Sequence, residues 1–257
     1  MIEIFKLIGC LPPPCIPLFL DEDQTFKLLQ NGSSLARYGD GELALMRGKS
    51  IPFQQATPFL SKRLKQVLKE KDKDFLIGLP RFLYYEDKNL NHETRLFWKK
   101  HKKKLIKQLY PFLQKDRQYI SSEISLLYTC YNNRNFDSYF QNVRSIWQDK
   151  EIVLIAGSGV LNLSENHVFD NATHIDYIEA PSINAFSEYD LLLEKALSFD
   201  KKKIFVLILG PTATILAYDL AKNGYQALDF GHIGKSYASY MKSVSLDGKL
   251  ADFFAPD

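Results

Sequence analysis

Residues 204–230, Ile204-Phe-Val-Leu-Ile-Leu-Gly-Pro-Thr-Ala-Thr-Ile-Leu-Ala-Tyr-Asp-Leu-Ala-Lys-Asn-Gly-Tyr-Gln-Ala-Leu-Asp-Phe230, decide the fold. Ile204 to Leu209 is apolar throughout, the pattern of a strand buried on both faces. Gly210-Pro211-Thr212 turns the chain into a helix from Ala213 to Lys222, with Thr212 as a candidate N-cap, and Asn223-Gly224 stops it. Tyr225 to Phe230 then starts another strand. Strand, helix and strand in so short a span make a right-handed crossover, so the two strands run parallel.

The same alternation continues outward. Upstream, Ile152 to Ala156 is a second continuous apolar strand, followed by a Gly157-Ser158-Gly159 turn. His174 to Glu179 reads as a strand and Ser187 to Phe199 as a helix, with Ser187 its cap. In the first half, helices are expected over Asp21–Gln30, Thr57–Lys71, His92–Leu113 and Asp137–Trp147, and strands over Ser34–Tyr38 and Phe75–Leu79. Tyr119 to Tyr131 fits a strand and a helix equally. The pattern predicts an α/β fold, with a Rossmann-like, largely parallel sheet flanked by helices. No repeat or linker divides residues 1–257, so one domain is expected, its core at about 20–242 and the ends 1–20 and 243–257 peripheral.

Composition narrows the partners. At 46% apolar and 25% charged residues the chain is ordinary for a globular protein, and a net charge of +3 gives no reason to expect nucleic acid. Three cysteines, Cys10, Cys15 and Cys130, are an odd number without metal-ligand spacing, which points to a reduced, cytoplasmic compartment. In residues 1–20, Glu3, Lys6 and Pro12-Pro13-Pro14 interrupt an apolar run, so a terminus packed across the domain is expected rather than a membrane span. Lys99 to Lys104, with five lysines around His101, is a solvated helix face or a peripheral contact with acidic lipid at the inner face of the membrane.

Parallel sheets bind ligands beyond the carboxyl ends of their strands, and four segments fall there. Arg37-Tyr38-Gly39-Asp40-Gly41-Glu42 reads as a strand running into a glycine-flanked turn that brings Asp40 and Glu42 toward one point. Two hard oxygen ligands suit Mn²⁺ or Mg²⁺ carrying a diphosphate, and the Arg37 fork suits a phosphate. An Asp-Gly-Glu turn at the end of a strand is also often only a solvated turn. Gly157 and Ser158 let a backbone approach a phosphate, and Pro211 and Thr212 sit at a helix start that favours an anion. In Pro181-Ser-Ile-Asn-Ala-Phe-Ser-Glu-Tyr189, Asn184 and Tyr189 are candidates for reading a base or ribose. Asp229-Phe-Gly-His-Ile-Gly-Lys235 gathers an acid, an imidazole and an amine, with Asp229 and His232 as candidate bases and Lys235 as a candidate phosphate contact.

Taken in order, Arg37–Glu42, Pro181–Tyr189, Leu209-Gly-Pro-Thr-Ala213 and Gly231-His232-Ile233 resemble the bacterial GT-D glycosyltransferases, a family of protein-glycosylation and surface-polysaccharide loci. The resemblance spans about residues 20 to 242. It departs at Gly234, where an acidic residue often stands, and in the turn after Ala156. It implies metal-dependent transfer of a hexose, typically glucose, from a UDP-sugar to a hydroxyl of a glycan acceptor, with the Asp-X-Glu pair of the family on Asp40 and Glu42. Two other classes compete. One is an NAD(P)-dependent Rossmann oxidoreductase with Asp229 on the ribose, and the other is a non-catalytic nucleotide-sugar or glycan-binding subunit.

Overall fold

The structure, a computed structural model, describes residues 16–132, 134–161 and 167–245. The readings of residues 1–15, of Cys10 and Cys15, and of the tail beyond residue 245 lie outside the described residues. No described helix is long and apolar enough to cross a membrane.

Eight strands form one sheet in which every pairing is parallel. They are β1 (Leu18–Phe19), β2 (Ser34–Arg37), β3 (Phe75–Leu79), β4 (Gln118–Ser121), β5 (Glu151–Gly157), β6 (His174–Ala180), β7 (Ile204–Ile208) and β8 (Gln226–Asp229). Their spatial order is β1-β4-β3-β2-β8-β7-β5-β6. The apolar runs behave as two-sided strands should. Val153, Ile155, Phe205 and Leu207 enter one core, while Ile152, Leu154, Val206 and Ile208 enter the other.

The first core is closed by α3 (Pro58–Leu68), α4 (His92–Leu109), α7 (Tyr189–Leu197) and α8 (Pro211–Lys222). The second is closed by α1 (Glu22–Gln30), α6 (Phe136–Ser145) and α9 (Ile233–Ser245). Trp147 is wholly buried against Phe169 and Phe230, and its indole N–H donates to Val168 O at 3.1 Å. Each such large side chain contributes about 1.5–3 kcal/mol of apolar burial.

Several boundaries differ from the sequence expectation for local reasons. The ambiguous 119–131 stretch splits into β4, a 3₁₀ turn over Ser122–Ser125 and α5 (Leu127–Cys130). Gly210, with φ of +50°, takes the N-cap of α8 in place of Thr212, because Pro211 occupies the first helical position. Ser187 does not cap α7. It sits inside a 3₁₀ turn, Ala185–Glu188, where its hydroxyl donates back to Asn184 O at 2.9 Å. The Asp40-Gly41-Glu42 segment is not an open turn but the first residues of a short helix, α2 (Asp40–Leu45).

Candidate active site

β2 and β8 are sheet neighbours from opposite ends of the sequence. β2 leads outward to β3 and β4, and β8 closes the group formed with β5, β6 and β7. Chain direction therefore divides between them, and a crevice opens beyond their carboxyl ends. A cleft of about 740 Å³ lies there, lined by the ends of β2, β4, β5, β7 and β8 and by the start of α4.

At its floor, Arg37 leaves β2 and meets Asp229 at the end of β8. Nε donates to Asp229 O at 2.7 Å, Nη2 to Oδ1 at 2.8 Å, and Nη1 to Ser122 O at 3.2 Å. The Arg37 backbone N–H donates to Asp229 Oδ2 at 3.2 Å, and Thr214 donates to Arg37 O at 3.0 Å. Burial raises the Asp229 carboxyl above the usual range, with the Arg37 charge opposing the rise. Gly231 permits this packing. It has φ of +39°, and a Cβ there would lie 2.1 Å from Arg37 Nη2.

Asp40 and Glu42 both line the cleft but do not point alike, since residues two apart on a helix diverge. Asp40 is exposed, while Glu42 turns back so that its Oε2 accepts from Gly39 N at 2.6 Å. Burial pushes the Glu42 carboxyl up to about 7, against the Gly39 hydrogen bond and with the Asp229 charge adding to the rise. Among the described residues no three His, Cys, Asp or Glu side chains gather closely enough to hold a metal by themselves.

Across from them, His232 and Lys235 face the same space. Solvent reaches His232, yet the surrounding protein, followed by Arg37 and Lys235, pushes its pKa down to about 4. It is a neutral imidazole at pH 7. Burial also lowers the Lys235 amine.

The family model of the GT-D glycosyltransferase fold matches residues 35–252, nearly the whole of this architecture and every strand end that lines the cleft. The chain belongs to the GT-D family. It is 32% identical over 257 residues to a probable glycosyl transferase Gly of Streptococcus gordonii, covering 98% of this chain and 37% of that one. It is 30% identical over 212 residues to glycosyltransferase GlyD of Streptococcus pneumoniae serotype 4, covering 82% and 26%. The chain thus spans about a third of the length of these curated relatives. A solved structure of domain of unknown function 1792, described as having a distinct glycosyltransferase fold, superposes with a TM-score of 0.84 at 31% identity, covering 91% of this chain and 85% of that one. A new glycosyltransferase from Streptococcus sanguinis superposes at 0.83 with 28% identity, covering 91% and 88%.

Of the residues singled out from the sequence, this GT-D cleft is lined by Arg37, Asp40, Glu42, Gly157, Pro211, Asp229, His232 and Lys235. Four others stand elsewhere. Tyr189 is buried between α7 and α8, outside the cleft lining, where its hydroxyl donates to Asp219, which also receives Arg63 at 2.5 Å. Asn184 is spent on a loop: its Oδ1 accepts from Gln55 N at 2.7 Å and its N–H donates to Phe53 O at 2.8 Å. Thr212 is fully buried, facing Gln54 Oε1 at 3.4 Å, and Ser158 is exposed outside the cleft lining. The oxidoreductase alternative fails on the same geometry, because the acid it needs for a ribose, Asp229, is buried and held by Arg37.

Sequence reasoning missed Phe53, Ser122, Glu123, Glu93 and Phe97, all in the cleft wall. Glu123 is 3% exposed and accepts from the Ser121 and Ser122 hydroxyls, and burial raises its carboxyl. The signal for it was the Ser-Ser-Glu that follows the apolar Tyr119-Ile120 pair, readable once that pair is recognised as a strand end.

Proposed function

We propose that the chain transfers a hexose, typically glucose, from a UDP-sugar to a hydroxyl of a glycan acceptor. The observation that carries this reading is the meeting of Asp40 and Glu42 with His232 and Lys235 in one cleft at the β2/β8 crevice. Asp40 is exposed to the cleft, and Glu42 lines it with its Oε2 bound to Gly39 N. Asp40, with Glu42 just beyond Gly41, suits Mn²⁺ or Mg²⁺ arriving with a diphosphate that supplies most of its coordination, and a resident metal caged by protein is not what this pair could hold. When bound, the cation would offset the negative charge that develops on departing UDP.

The chain's own groups divide the remaining work. Lys235 places positive charge near the leaving phosphate. Arg37 contributes less than its sequence position suggests, because Asp229 neutralises it and three of its N–H groups are already bonded. His232 is the base: its neutral ring accepts the acceptor's proton as the new C–O bond forms and the bond from the sugar to UDP breaks. Asp229 instead positions Arg37. We place the reaction in the cytoplasm, with the exposed lysines of α4 as the face for any acidic membrane surface.

Substituting Asp40→Asn tests the reading. With Mn²⁺ present, release of UDP from a panel of UDP-sugars should fall about 100-fold or more, while circular dichroism and the thermal transition stay as in wild type. Turnover at the wild-type rate would overturn it. Failure of every donor and acceptor to release UDP, with UDP still bound, would favour the non-catalytic subunit.

A further inference from the structure

The cleft has two unlike wings on either side of the Arg37–Asp229 floor. On the β7–β5–β6 side, Gly210, Gly157 and Ser182 leave the backbone approachable between Val160 and Leu161, with Phe53 laid against Gly210. On the β3–β4 side it is walled by α4, which presents Glu93, Thr94, Phe97 and Trp98. Phe97 is 41% exposed although it lies in a cavity wall. Two neighbours on its own helix flank it. Trp98 meets it edge-on at 5.1 Å and 87°, His101 flanks it at 4.8 Å, and Trp98 is backed by Phe82 at 6.2 Å. α4 also packs against α2, so this wall adjoins the helix that carries Asp40 and Glu42.

An exposed, pre-positioned aromatic face beside a carboxylate is the surface a pyranose ring needs. The C–H face of a sugar carries slight positive charge and lies on the electron-rich ring face, while its hydroxyls donate to the carboxylate. We infer that the α4 wall is the acceptor subsite, taking a pyranoside stacked on Phe97 with Glu93 on its hydroxyls. The inference rests on the transferase reading and adds to it which wing holds which substrate. The glycine-lined wing takes the nucleoside and the aromatic wing takes the acceptor. Phe97 and Glu93 are binding residues here and move no proton.

Trp98 supplies the readout. The chain has two tryptophans, and Trp147 is wholly buried away from the cleft, so a change in emission on ligand binding reports Trp98. Wild-type protein with saturating UDP and Mn²⁺ is titrated with the methyl β-glycosides of glucose, galactose and N-acetylglucosamine. The expected result is a saturable change with at least one of them, lost in Trp98→Phe. Phe97→Ala and Glu93→Gln should each weaken that affinity about fivefold or more, and calorimetric UDP affinity should be unchanged. Both positions are exposed, so folding should be retained. A wild-type protein that binds UDP but answers to none of the glycosides overturns the assignment. So does a Phe97→Ala variant whose UDP affinity falls as far as its glycoside affinity, which would give this wall to the nucleoside. Glycoside binding without any UDP binding would sink the donor reading and leave the subsite standing.

Discussion

Arg37 and Asp229 exclude one another from water, with side chains 13% and 3% exposed, so neither tolerates losing its partner. Asp229→Asn should cost about 3–5 kcal/mol in urea unfolding because it strands a buried guanidinium, and the double change Arg37→Met/Asp229→Leu should cost much less. Equal losses for the single and the double variant would mean that the pair's geometry, rather than its charge balance, is what counts. His232 gives the second prediction at this scale. Its pKa lies near 4, below the ordinary 6.5, so it remains able to accept a proton as pH falls through 6 and loses that ability only as pH falls through about 4. With donor and cation saturating, the acid limb assigned to this group in the transfer profile should therefore lie near 4. A limb near 6.5 that His232→Gln removes would show an ordinary imidazole in the working complex.

Segments show how a signal can be read correctly as present and wrongly as to purpose. Asn184 attracts notice as a polar residue after a strand, yet it adopts φ of +55° and clasps the 51–55 loop, holding Phe53 over Gly210. Asn184→Gly keeps the backbone conformation and loses the side-chain hydrogen bond. Amide exchange of Gln55 and its neighbours should rise by about 5–10-fold, the equivalent of about 1 kcal/mol, with the sheet unaffected. Unchanged exchange would mean the loop is held elsewhere. The apolar runs of β5 and β7 were legible because two-sided burial leaves no polar position in them, and the order of the site segments was legible because parallel strands deliver their ends to one rim. Tyr189 and Thr212 misled because an aromatic or hydroxyl beside a strand end looks the same in sequence whether it faces the cleft or the helix behind it. That choice depends on tertiary packing, here the Arg63–Asp219 pair from α3 and α8. The α4 wall was hidden for another reason: its lysines dominate the sequence pattern, while Phe97 acquires meaning only from where the helix lies.

Across the molecule, a ligand in the cleft touches strand ends from both halves of the sheet, so its binding should stabilise the whole domain. UDP with Mn²⁺ at about 100 times Kd should add about 2.7 kcal/mol, or about 5–10 °C in Tm. Chelation should remove most of that rise, and an equal rise with UDP alone would make the cation dispensable for binding. The floor of the cleft also joins residues 37 and 229, contributed by the neighbours β2 and β8. During synthesis β2 emerges well before β8, 192 positions separating Arg37 from Asp229, and must wait with one edge unpaired until β8 has followed. Closing so long a loop is slow, and nothing made earlier substitutes for it. Truncation before Asp229 should therefore leave a polypeptide with an unfinished sheet, and the cleft floor arrives only with completion of the fold.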